Sequence, residues 1–426
     1  MGGHRFKVSA AVAVAVVAAG AATLLLRPRG AGLEPVAVEV TAYFSAGELA
    51  RAEAFRGPQR VLGIAGMLLS TGALALVALR PPGPLRSVLG RAGARPVLGA
   101  AAVGAAGSVA FEALGLPLGA IAHARSVEFG LSTQGYGAWL GDVGKATAVG
   151  AVMTAGLAAG GVALARRFPR RWWIPASASV VAVGVVLILL SPVLIEPLFN
   201  RFEPLPPGEL RDQVLDLARR SGVDVGEVYR VDASRRTTGA NAYVGGLGPT
   251  KRVVLYDNLI EGFPRDQLLS VVAHELGHQQ GRDLYRGLLW LALVAPAGAL
   301  LAQRLAEAMT DGRPRRGSTA SASHPGRSSL GTPAGLPALA LALALVSFFL
   351  GTASNALSRR VEARADLFAL ELTREPSPFI ALERGLAVRN VSDPTPPAVL
   401  HLLFGTHPTT LERIGYGVEW KRRTPG

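Results

Sequence analysis

WWIPASASVVAVGVVLILLSPVLI, residues 172–195, runs for 24 residues without Asp, Glu, Lys or Arg. At 1.5 Å per residue a helix of that length covers about 36 Å, more than the hydrocarbon thickness of a bilayer. Arg170 and Arg171 stand before it and Glu196 follows, so charge is confined to its ends. Six further windows share the pattern, approximately Val8–Leu26, Val61–Leu79, Val97–Ala122, Ala146–Ala165, Gly287–Leu305 and Leu336–Leu357. Several are rich in Ala and Gly, which weakens hydropathy but lets helices approach closely. Half the chain is hydrophobic, only 17% is charged, and mean hydropathy is +0.33, a composition that excludes an ordinary soluble protein. The first window, preceded by His4, Arg5 and Lys7, also has the outline of a secretory signal. It ends in Leu24-Leu25-Leu26-Arg27 with no small-x-small cleavage site, and reads as a retained helix.

The formal charge is +14. Much of the excess sits in arginines at the ends of apolar runs, such as Arg80, Arg86, Arg91 and Arg95, or Arg166, Arg167, Arg170 and Arg171, where the partner is the lipid headgroup layer. Nucleic-acid binding is excluded, because aromatics are 6% and do not interleave with a basic stripe. The chain has no Cys, so any metal must be held by His and carboxylates.

Polar, mixed sequence returns at 197–285. Gly208–Ser221 has helical period, Glu227–Val231, Asn241–Gly246 and Arg252–Leu255 read as strands, and Gly245, Gly246, Gly248 and Pro249 read as the turn joining the last two. Gln267–Arg282 is helical again. Residues 310–334, rich in Gly, Ser, Pro and Arg and containing His324, read as a flexible loop with that His a bystander. Ser358–Leu372 is helical, and the remainder reads as Pro-rich turns with a basic end.

Inside the second polar helix lies Val271-Val272-Ala273-His274-Glu275-Leu276-Gly277-His278. Histidines at i and i+4 share one helix face and can reach one tetrahedral Zn²⁺, while the Glu between them addresses the open coordination position. A catalytic zinc site needs a third protein ligand. Ser358-Arg359-Arg360-Val361-Glu362-Ala363-Arg364-Ala365-Asp366 offers carboxylates at i and i+4, with Glu362 as the ligand and Asp366 accepting the outward N–H of a ligating His. Without the His pair, the same carboxylates would read as a solvated face balanced by arginines.

At this point the chain resembles the type I CAAX prenyl endopeptidases and their HtpX-like bacterial relatives, membrane zinc peptidases of the gluzincin kind. Besides the two motifs above, the likeness rests on Glu128-Phe129-Gly130-Leu131-Ser132-Thr133-Gln134, Pro197-Leu198-Phe199-Asn200-Arg201-Phe202 and Asn241-Ala242-Tyr243-Val244-Gly245-Gly246. A last motif is Thr406-His407-Pro408-Thr409-Thr410-Leu411-Glu412-Arg413-Ile414. The resemblance implies a mainly α, polytopic membrane protein of about seven transmembrane helices with an inserted α+β zincin-like domain. It also implies one Zn²⁺ per chain, with Asn241 and His407 beside the metal to hold substrate or the developing oxyanion. The Asn241–Gly246 strand, as an edge, can pair with an extended peptide through Ala242, Tyr243, Val244 and Gly245.

The organisation expected is therefore a transmembrane part at 1–196, a first piece of the peptidase domain at 197–286, spans six and seven with their loop at 287–357, and a second piece at 358–426. The expected function is zinc-dependent endoproteolysis of membrane-associated or lipidated proteins, with Glu275 activating water. A catalytically silent scaffold and a transporter are the alternatives. The transporter has less behind it, since no span carries a pair of opposite charges or a Gly/Pro-interrupted repeat. Lys and Arg in the short connections place the amino terminus in the cytoplasm and the zinc domain outside, whereas the resemblance implies a zinc domain facing the cytoplasm, which is the orientation expected here. The carboxy-terminal Arg-Arg-Thr-Pro-Gly is not a retrieval signal of the kind that prenyl-trimming relatives often carry, which sets the prenylated substrate apart from the rest of the expectation.

Overall fold

The computed structural model describes residues 2–29, 33–246, 251–311 and 329–424. His324 and most of the 310–334 segment lie outside these residues, as do Gly248 and Pro249 of the turn expected between two strands.

Among the described residues there are fourteen α-helices. They are α1 (Gly2–Leu26), α2 (Ala46–Leu79), α3 (Gly83–Ala92), α4 (Pro96–Glu128), α5 (Tyr136–Arg167), α6 (Trp173–Leu190), α7 (Glu209–Arg220), α8 (Asp257–Gly262), α9 (Arg265–Gln280), α10 (Asp283–Asp311), α11 (Leu336–Thr373), α12 (Pro376–Arg389), α13 (Ala398–Phe404) and α14 (Thr410–Arg423). Seven of them (α1, α2, α4, α5, α6, α10 and α11) are long and apolar enough to cross a bilayer, and they coincide with the seven windows read from the sequence. Their outer faces leave Val180, Leu189, Leu69 and Val152 uncovered, which is stable only against lipid. The protein is an integral, multi-pass membrane protein.

The helices outrun their apolar windows for local reasons. α2 begins fifteen residues before Val61 because Ser45 and Glu48 form a reciprocal capping box that starts a polar extension. α11 does not break after Leu357, so the last span and the carboxylate helix are one rigid rod ending at Arg374 in the left-handed conformation. The tail is helical rather than a run of turns, a correction to the sequence reading. Pro376 sits at the first turn of α12, where its missing N–H costs nothing, and Thr409 with Glu412 caps α14.

Four strands, β1 (Phe202–Pro204), β2 (Glu227–Val231), β3 (Ala242–Gly245) and β4 (Arg252–Tyr256), form one sheet in the order β1-β2-β4-β3, with β2 and β4 parallel and the outer pairs antiparallel. β1 was not visible in the sequence, being three residues long and ending in Pro. β3 lies at the edge, as expected. One core joins the sheet, α7, α9, the end of α11, α12 and α14, with Val253, Leu255, Val272, Leu276, Leu370 and Phe379 essentially without exposure. Each such side chain contributes about 2 kcal/mol on burial.

The sheet unit sits on one end of the bundle. Gly130 O and Leu131 O, in the α4–α5 connection, accept from Thr238 and Thr237, and Asp142 of α5 pairs with Arg236 at 2.8 Å. From α2, Arg56 donates to Val391 O and Asn390 O, and Arg60 pairs with Asp393. At the opposite end Gln303 donates to Arg170 O.

Candidate active site

The site is built where α9 crosses α11. Gly277 makes the crossing possible, since a Cβ there would lie 3.1 Å from Phe368 and 3.3 Å from the Ala365 backbone. The approach brings three candidate ligand residues together. His274 Nε2 and His278 Nε2 are 3.1 Å apart, Glu362 Oε2 is 3.2 Å from the first, and Glu362 Oε1 is 3.5 Å from the second. Four ligands at Zn–N and Zn–O bond lengths define a tetrahedron whose edges are about 3.3 Å, so this spacing is that of one ion's coordination shell. The two imidazole planes cross at 83°. Glu362 Oε2 is buried and makes no hydrogen bond among the described residues, an orphan that a cation would satisfy.

Each imidazole is backed on its other nitrogen. His274 Nδ1 is 2.8 Å from Asp366 Oδ1, and Arg413 grips the same carboxylate through Nε at 2.9 Å and Nη2 at 2.5 Å. His278 Nδ1 is 3.0 Å from Asp283 Oδ2, to which Arg364 Nη2 donates at 2.7 Å. A carboxylate beside Nδ1 takes its N–H and leaves the Nε2 lone pair facing the shared point. Burial opposes a charge on His274, yet Asp366 and Glu362 hold its imidazole up to about 10. Burial pushes the Glu275 carboxyl up, with His274 and His278 pulling the other way.

Of the residues singled out from the sequence, His274, His278, Glu362 and Asp366 come together. His407 joins them, with Nε2 3.3 Å from Glu362 Oε2 and Nδ1 3.0 Å from Thr406 Oγ1, on the exposed side. Asn241 is exposed at the start of β3, and its side chain has no hydrogen-bond partner among the described residues. Its carbonyl accepts from Tyr256 N at 3.1 Å, so antiparallel alternation turns the main chain of Ala242 and Val244 to the open edge. Gln279, next to His278, donates to Val244 O at 3.1 Å and ties that edge to the histidine helix. Tyr243 points elsewhere, its hydroxyl donating to Glu196 at 2.8 Å. His123 stacks on Trp139, and the His401 carbonyl accepts from Gly405 N.

Sequence reasoning missed Asp283, Arg364, Arg413 and Glu383. Asp283 had a signal, an acid five residues beyond His278 where the helix stops: Arg282 takes a φ of 55° and turns the chain back toward the imidazole. Glu383, on α12, pairs with Arg413 at 2.8 Å across elements remote in sequence and had no local signal.

A His-Glu-x-x-His helix meeting a carboxylate on a transmembrane rod defines a polytopic membrane metallopeptidase. The comparisons agree. Residues 204–418 match the model of Peptidase family M48, and residues 89–201 match that of the CAAX prenyl protease N-terminal region, described as five membrane helices. The uncharacterized metalloprotease YhfN of Bacillus subtilis is 32% identical over 299 residues, 70% of this chain and 68% of that one. CAAX prenyl protease 1 of Saccharomyces cerevisiae is 40% identical over 99 residues, 23% of this chain and 22% of its own length, and the homologue from Oryza sativa is 43% identical over 98 residues, 23% of each. The crystal structure of Ste24p from S. mikatae shares the fold, with a TM-score of 0.76 at 19% identity over 97% of this chain and 98% of that one. The chain belongs to Peptidase family M48 and is a membrane metalloprotease.

Proposed function

We propose that His274, His278 and Glu362 hold a zinc ion and that Glu275 is the general base of a membrane endopeptidase acting on membrane-associated or lipidated proteins. The observation that carries this reading is the spacing of 3.1, 3.2 and 3.5 Å among the two Nε2 atoms and the carboxylate oxygens of Glu362, with the Nδ1 atom of each imidazole already engaged. Zinc, when bound, supplies Lewis acidity and an acidified water. Glu275 would take a proton from water and deliver it to the leaving amine, and burial, which pushes its carboxyl up, makes it a stronger base. His407 and Asn241 donate to the developing oxyanion. The substrate backbone pairs with the open edge at Ala242 and Val244, flanked by Tyr243 and Gly245, and one substrate N–H displaces the Gln279 amide from Val244 O. The 197–286 and 358–426 segments form the peptidase unit, and 1–196 with 287–357 the membrane part. Arginines flank the spans at both ends of the bundle; the family resemblance supports a peptidase end facing the cytoplasm, against the count of Lys and Arg in the short connections, and that is the orientation proposed. Reporter fusions after Arg282 and at the carboxy terminus check that placement, and activity of an exported reporter at either point contradicts it.

The reading is tested by metal removal. Purified protein is expected to carry one zinc per chain, to lose peptide cleavage on dialysis against a chelator, and to regain it when zinc returns. Cleavage unaffected by complete zinc removal would reject the reading. Asp283 is assigned as the residue that orients His278. Asp283→Ala is expected to weaken zinc affinity about 10- to 100-fold, as loss of such partners does, while Asp283→Asn retains part of it. Competition with a zinc indicator dye measures this, and parental affinity in the Ala variant removes the assignment.

A further inference from the structure

Arg27, Arg29 and Arg360 line one cavity of about 390 Å³, together with Glu34, Tyr416 and the apolar Leu33 and Ala363. Its place is set by the ends of two spans. Arg27 follows the last residue of α1, whose Leu26 carbonyl accepts from Arg286 at 2.7 Å, and Arg360 stands three residues past Leu357, where the apolar part of α11 stops. That is the level at which hydrocarbon gives way to headgroups.

What sets these three guanidiniums apart, among the described residues, is that no hydrogen bond or ion pair engages them. Arg359 donates to Gly405 O at 2.5 Å, Arg364 to Gly277 O and Asp283, and Arg286 to Leu26 O. Among the described residues the side chains of Arg27, Arg29 and Arg360 make no hydrogen bond or ion pair. A single carboxylate, Glu34, stands against three cations. Tyr416 is a buried lining residue, and burial with the charge of Glu34 pushes its phenol up to about 12, so it is present there as a neutral phenol.

We propose that this cavity binds a phosphate-ester anion at the membrane surface, the headgroup phosphate of an anionic phospholipid. Guanidinium forks match phosphate oxygens two at a time, Tyr416 supplies a neutral donor, and Leu33 with Ala363 meets the apolar start of the lipid. A free phosphate offers the same oxygens without the apolar part. Binding here stands apart from the peptidase assignment.

The test is calorimetric titration of the full chain in a neutral detergent with short-chain phosphatidylglycerol, short-chain phosphatidylcholine and inorganic phosphate. Phosphatidylglycerol is expected to bind more tightly than phosphatidylcholine, and the combined Arg27→Gln, Arg29→Gln, Arg360→Gln variant to lose about 100-fold of that affinity, three surface cations' worth. Glu34→Gln, which deletes the competing anion, is expected to tighten binding and remains informative if the triple variant folds poorly. Inorganic phosphate binding as tightly as the lipid, with the same arginine dependence, would keep the anion site and make its occupant soluble. Equal phosphatidylglycerol binding by the parent and the triple variant, or no gain in Glu34→Gln, overturns the proposal.

Discussion

Glu275→Gln is expected to lower kcat for peptide cleavage by about 10²- to 10⁴-fold, the usual contribution of a positioned proton-transfer group. The substitution preserves size and burial and leaves the neighbouring imidazoles untouched, so the Nε2 pair and Glu362 Oε1 and Oε2 keep their 3.1–3.5 Å spacing. What disappears is the ability to accept a proton from water and return it to the leaving nitrogen. Zinc content should therefore equal the parent's, and the loss should fall on kcat more than on KM. Zinc-loaded Glu275→Gln that cleaves at the parental rate would remove Glu275 from the mechanism, whatever becomes of the metal.

The membrane part was legible because lipid imposes one strict demand. A spanning helix must satisfy its backbone internally and show apolar side chains over about 20 residues, and that leaves a mark in composition alone. The His-Glu-x-x-His helix was legible for a related reason, since the pitch of a helix converts a spacing of four into one shared face. Helix ends were less so. The polar first half of α2 carries no apolar window, and its start is written in Ser45 and Glu48 rather than in hydropathy. The tail's prolines make it read as turns, whereas Pro376 begins a helix.

Partners of the site that lie on other elements were the hardest to find. Asp366 was found because it sits one turn from Glu362 on the same rod. Asp283 belongs to the first turn of a transmembrane helix, and its role depends on the backbone turn at Arg282. The result is a matched pair of arrangements, His274–Asp366–Arg413 and His278–Asp283–Arg364, assembled from α9, α10, α11 and α14. One arginine comes from the rod that carries Glu362, so the bundle and the donor cluster share a support.

Arg413→Met is expected to cost roughly 3–5 kcal/mol of stability, because it strips the cation from carboxylates that have no water to fall back on. Asp366 is fully buried and Glu383 nearly so, and Arg413 contacts both. Thermal unfolding in detergent reads the loss, and a melting temperature within a degree or so of the parent's would show that the carboxylates are satisfied some other way. Glu383 supplies a second, pH-resolved reading of the same network. Burial, against the pull of Arg413, pushes its carboxyl from 4.5 up to about 7. A carboxyl raised in the folded state contributes stability that is complete below the unfolded value and is lost as pH rises through the folded one. Between about pH 4.5 and 7 the unfolded chain gives up this proton while the native chain keeps it, so this contribution falls with rising pH. Glu383→Gln should flatten that part of the profile and Arg413→Met should extend it to higher pH, since the carboxyl would then titrate higher still. Parallel profiles for the parent and Glu383→Gln would mean that Glu383 is ionised throughout, with Arg413 neutralising it fully.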